Sequence, residues 1–304
     1  MKTLYKSTVF LSLILLLTAY GACVQPPPEP VNENLTLALE PSENIKGGTG
    51  NMAIENAPQV GVGYTNLDGS RLIVLYNHEF EDNSLLTYFD YAVGENGNVY
   101  EIEYDIYQDW GENDNGRQSA RNFANQRGCV YRFVHRIAIE DNTYVLIPED
   151  ESGKRIIFQE NKDADRAAFT EELIEKCAGI ANRNVKKGWL LSVYHESYWV
   201  SIIEFENIDR DLLAWLILEN EDGFFQYCEL PATLSEDGLT GWRYEDRGEL
   251  MREAFYILCV IQEGEDIMVY LGWYDEEGET ISLIEFSPDK TPFEKTLAGR
   301  YTMF

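Results

Sequence analysis

Positive charge is what this chain has least of. Its 24 Lys and Arg stand against 53 Asp and Glu, a formal net charge of −29 over 304 residues. Such a surface repels phosphate backbones, so nucleic acid is disfavoured as a partner, as are anionic membrane faces. Histidine is almost missing, with only His78, His135 and His195. Past Cys23 there are four cysteines, Cys129, Cys177, Cys228 and Cys259, with no CxxC and no Cys/His spacing suited to zinc. The chain also lacks GxSxG, HExxH and a glycine-rich phosphate loop after a strand, so acyl transfer, zinc proteolysis and nucleotide chemistry find no support. No cofactor is implied.

The beginning of the chain carries an address. Lys2 and Lys6 precede an apolar run over residues 9–17 interrupted only by Ser12, and small residues follow at Ala19, Gly21 and Ala22. The run is too short to span a bilayer comfortably and has the layout of an export signal. Gly21-Ala22-Cys23 resembles the lipobox of bacterial lipoproteins, with Tyr20 where an aliphatic residue is usual. The resemblance covers these 23 residues alone. It implies lipidation of Cys23 and a place in the cell envelope, at an outer membrane or cell surface, with contact to the membrane through the anchor only. Without lipidation the chain is expected to be secreted or periplasmic. Gln25-Pro26-Pro27-Pro28-Glu29-Pro30 can sustain neither a helix nor a sheet ladder, so residues 23–55 read as a tether after a signal peptide over 1–22.

From residue 56 short alternating apolar bursts separated by turn signals predict antiparallel strands. Strands are expected over 72–76, 85–93, 99–107, 130–139 and 143–147. Three hairpins follow, 189–194 with 199–205, 212–219 with 224–230, and 255–262 with 267–274. Asp165 is expected to cap a helix whose stripe is Ala168, Phe169, Leu173, Cys177 and Ile180. Short helices are expected over 117–126 and 248–254.

Residues also recur in order, at offsets drifting from 127 to 124. Asp82-x-x-Leu85-Leu86 matches Asp209-x-x-Leu212-Leu213, and Glu95-Asn96-Gly97 matches Glu221-Asp222-Gly223. Asp165-Arg166-x-x-Phe169 matches Asp289-Lys290-x-x-Phe293, which predicts another helix from about Thr291 with Pro292 in its first turn. The expectation is a tandem duplication. The fold class is then α+β, with repeats over 56–182 and 183–304, each an antiparallel sheet covered on one face by helices. Cys228 aligns with Ile102 and Cys259 with Val134, which favours buried thiols over the three possible two-bridge connectivities.

Candidate chemistry is thin. His135 reads as a satisfied strand histidine, and His78-Glu79 and His195-Glu196 as solvated turns. Ser287-Pro288-Asp289-Lys290 has Ser–Lys spacing but precedes the expected helix. Asp109, Glu112 and Asp114 form the densest oxygen-ligand stretch, a calcium candidate that fails the EF-hand pattern. Trp189, Tyr194, Tyr198 and Trp199 can present a flat surface to a sugar or peptide, although aromatics mostly pack sheets. The expectation is a non-enzymatic, lipid-anchored binding or interaction module whose partner is an unidentified protein or glycan. An acidic inhibitor or immunity-type protein against a basic enzyme is the first alternative, and a two-carboxylate glycoside hydrolase the second.

Overall fold

The computed structural model describes residues 60–302 apart from 76–85, 151–152, 162–169, 195–197, 243–245 and 275–276. The expected signal, Cys23, tether, His78 and His195 lie outside the described residues. Among the described residues strands account for 54% and helical residues for 9%, with one α-helix.

Six short strands close into a barrel in the order β1-β2-β5-β4-β3-β6. They are β1 (Gly61–Thr65), β2 (Arg71–Leu75), β3 (Tyr91–Val93), β4 (Val99–Gln108), β5 (Gly128–Phe133) and β6 (Thr143–Ile147). Closure requires neighbouring strands to crowd. A Cβ on Gly63 would lie 2.5 Å from the Ile73 carbonyl oxygen, so only glycine fits there. Leu72, Val74, Phe89, Tyr131, Tyr144 and Leu146 fill the interior, as side chains do in small barrels.

The remaining strands form two stacked sheets. One has the order β11-β10-β9-β8, from β8 (Val185–Tyr194), β9 (Tyr198–Phe205), β10 (Asp211–Asn220) and β11 (Phe225–Thr233). The other has the order β15-β14-β13-β12-β7, from β7 (Arg155–Ile157), β12 (Phe255–Glu263), β13 (Asp266–Tyr274), β14 (Gly278–Ser287) and β15 (Lys290–Tyr301). Val200, Ile202 and Leu216 of the first sheet meet Val260, Val269 and Ile284 of the second in one apolar core. The second sheet presents Leu258, Cys259, Ile261 and Tyr270 on its other side to Val62, Val93 and Val145 of the barrel. The first sheet presents Ile203, Phe205, Trp215 and Ile217 on its other side to α1 (Glu171–Ala181). The layers therefore run helix, sheet, sheet, barrel.

The expected α+β fold of two similar helix-covered sheets is incorrect. Residues 117–126 hold only a 3-10 turn at Phe123–Asn125, and 248–254 only one at Arg252–Ala254. The stretch expected to be helical from Thr291 is β15. Its i, i+4 apolar spacing misled because β15 is an edge strand, with Phe293 exposed and Leu297 half-buried, so tertiary position rather than period decides its exposure. Pro292 is tolerated on such an edge, where a missing N–H breaks no second ladder.

Nor do the two halves share a topology. The first closes a barrel, the second builds a sandwich, and β7 crosses between them by pairing with β12 at Ile261↔Ile157. Some of the recurring residues mark turns instead. Asn96, Gly97 and Gly223 all adopt positive φ, a local demand that any antiparallel meander makes. The α1 N-cap is Thr170 rather than Asp165; its Oγ1 accepts from the Leu173 N–H at 3.2 Å. Leu173 and Cys177 are buried, Ile180 faces solvent, and Ala168 and Phe169 lie outside the described residues.

Candidate functional site

The aromatic run foreseen as one surface is divided by the pleat. Trp189, Tyr194 and Tyr198 pack against the core between the sheets. Trp199 pairs with Val193 and with Glu219, and alternation places it on the opposite side with Ile203 and Phe205. The four residues therefore form no common platform.

That opposite side, beneath α1, carries a different aromatic group. Trp215 of β10 stacks on Tyr227 of β11 with ring centroids 3.7 Å apart and planes 13° from parallel. Phe205 of β9 meets the Trp215 ring edge-on at 4.8 Å. Lys176 of α1 sets its Nζ 3.5 Å from the centre of the Phe225 ring, a cation–π contact. Trp215 is buried, yet its indole N–H has no hydrogen-bond partner, which costs about 1–3 kcal/mol. The period-2 placement of Phe205, Trp215, Phe225 and Tyr227 on one face was legible in the strand pattern. Sequence reasoning missed it because it weighed neighbours along the chain rather than across the ladder.

Where the second sheet meets the barrel, the apolar packing is joined by an ionic contact. Arg300 of β15 is buried and donates from Nη1 to Glu279 Oε1 at 2.9 Å and to Thr143 Oγ1 at 2.7 Å. Its Nη2 donates to Asp141 Oδ1 at 2.7 Å and its Nε to the Gln118 carbonyl at 3.1 Å. The hydroxyls of Thr143 and Tyr256 donate to Glu279, and the guanidinium lies over the Tyr64 ring at 4.5 Å. Burial, with the Glu279 charge beside it, pushes the Tyr256 phenol far up, so it stays a hydrogen-bond donor.

A second buried carboxylate, Glu204, organises the sandwich end. A bulge between Val185 and Lys187 turns two consecutive lysines to one side. Lys186 and Lys187 reach the Glu204 oxygens at 2.9 and 3.1 Å and also hold Glu249 at 2.6 and 2.8 Å. The Leu250 N–H donates to Glu204 at 3.1 Å. Glu204 and Glu279 thus sit on different sheets, each facing cations.

The other candidates have found structural partners. Asp114 Oδ1 accepts from Gly116 N at 3.0 Å, Asn122 Nδ2 at 2.7 Å and Gln126 Nε2 at 2.5 Å. Asp109 and Glu112 are exposed. Among the described residues no group of three or more His, Cys, Asp or Glu side chains is arranged to hold a metal ion. His135 lies beyond the end of β5 and is exposed, with Nε2 2.9 Å from Glu101, so it is not the strand histidine expected. Ser287 and Lys290 pair across the β14–β15 turn, and Lys290 binds Glu285 at 2.8 Å. Cys129, Cys177, Cys228 and Cys259 are buried thiols outside any disulfide, and burial raises each above its ordinary range. Among the described residues no helix is long and apolar enough to cross a membrane.

No protein-family model, curated protein or solved structure matches the chain.

Proposed function

We propose that the chain is an exported lipoprotein, held to a membrane of the cell envelope through Cys23, that acts as a non-enzymatic binding module for a protein or glycan. The observation that carries this reading is the employment of its buried charges. Glu204, Glu279 and Arg300 are each held by groups of the fold itself. Here they serve as fasteners, and the surface is left to recognition.

The anchor is tested by growing cells with an alkyne fatty acid. The mature chain takes up the label and Cys23→Ala does not; equal labelling of both refutes anchoring. For the module, oligosaccharides and small basic proteins are presented to the purified chain, with binding and turnover measured together. Binding without turnover is the expected result. Turnover abolished by one Asp or Glu substitution overturns the reading. The net charge of −29 favours one narrower version, an inhibitor of a basic enzyme steered by charge. That version requires association that weakens steeply with salt.

A further inference from the structure

We propose that α1 is a displaceable cover over an aromatic docking face on the four-stranded sheet, and that this face accepts an amphipathic helix of a partner protein. The inference rests on the reading as a binding module and locates its site.

Several observations converge on α1. Only Leu173 and Cys177 of its eleven residues are buried, while Ile180 stays half exposed. Gly179 weakens the helix interior, and a Cβ there would meet nothing within 4 Å, so packing does not demand the glycine. A helix of this length is marginal on its own, so α1 depends on those two side chains, the partly buried Ala181, the Lys176–Phe225 contact and the Thr170 cap. Beneath it, Glu219 of β10 is partly desolvated. Burial raises its carboxyl, Lys176 of α1 opposes that rise and Glu172 of α1 adds to it. An element held by few buried contacts opens locally before the fold does.

The face left behind is specific. Phe205, Trp215, Tyr227 and Phe225 form an aromatic surface, and the indole N–H of Trp215 has no partner while α1 lies over it. What fits is shown by α1 itself, which lays Leu173, Cys177 and Ala181 on the sheet at successive i, i+4 positions. The expected occupant carries the same stripe, a leucine followed by two small residues, with a cation one position before the first small one to meet Phe225.

The test uses the full chain and a synthetic peptide of residues 170–182 with Cys177→Ser as the probe. Hydrogen exchange is followed in α1 and in β9 and β10, with and without peptide. The expected result is α1 exchange about tenfold or more faster than in the strands, increased further by saturating peptide while the strands stay protected. Leu173→Ala in the chain tightens peptide binding, and Tyr227→Ala in the chain abolishes it with its Tm above the assay temperature. Exchange of α1 at the strand rate, or no effect of the peptide, overturns the proposal. So does a doubling of mass through trade of α1 between copies, which assigns the face to a second chain. Any of these outcomes leaves the binding-module reading standing, because a ligand can still be bound elsewhere.

Discussion

The two outer faces of the sandwich are covered in opposite ways. The five-stranded sheet lies against a closed barrel, joined by apolar packing and by Arg300, which reaches Asp141 and Thr143 of the barrel side and Glu279 of its own sheet. The four-stranded sheet lies under one short helix that commits two buried side chains. The first joint is charged and multiply hydrogen-bonded, so losing Arg300 or Glu279 strands the other charge in a dry place. The second is shallow and apolar, so its loss exposes surface at modest cost. The comparison teaches that the barrel joint commits far more buried side chains and hydrogen bonds than the helix joint does.

Cutting the ionic joint is expected to have the largest effect. Arg300→Ala leaves Glu279 buried without its cation and is expected to cost about 3–5 kcal/mol, read as a lowered denaturant midpoint. Arg300→Lys keeps the charge but loses the forked contacts to Asp141 and Glu279, so it recovers only part. A variant of wild-type stability would erase the contrast between the faces.

Leu173→Ala comes next. Removing a buried leucine costs about 2–3 kcal/mol, but here the loss is expected in α1 amide protection, with the global midpoint nearly unchanged. A matching drop in global stability would make the helix part of the rigid body. Thr170→Ala removes the cap and is expected to weaken α1 by about 1 kcal/mol, in the same local readout.

The smallest effect is electrostatic. Burial raises the Glu219 carboxyl, so the folded state holds that proton more tightly than the unfolded chain does. The penalty is therefore absent below the unfolded value of 4.5 and grows as pH rises through the folded value. Glu219→Gln is expected to protect α1 slightly at pH 7 and to match the parent at pH 4, compared at each pH. Equal protection at both would show that the Lys176 charge already balances the site.

Much of the strand content was visible in advance. The hairpins at β8–β9, β10–β11 and β12–β13 follow from alternation and from turn residues such as Gly223 and Gly264, both at positive φ. The β15 edge was not visible, because an edge strand with exposed Phe293 loses the period-2 contrast that betrays a strand. The aromatic face was half visible. Alternation places Phe205, Trp215 and Tyr227 on one side of their strands, but only the register, which sets Ile217 beside Tyr227, lets Tyr227 lean onto Trp215.

By itself the sequence determined the strand periods, the turns and the acidity, because each arises from residues a few positions apart. Tertiary structure alone decided which strands are neighbours: that β6 closes a barrel onto β1, that β7 leaves its half to pair with β12, and that Arg300 meets Asp141 159 residues away. Backbone N–H and C=O groups are alike in every strand, so local chemistry cannot choose among partners. The choice is made by which apolar faces can be buried together and which buried charges can find their counterparts.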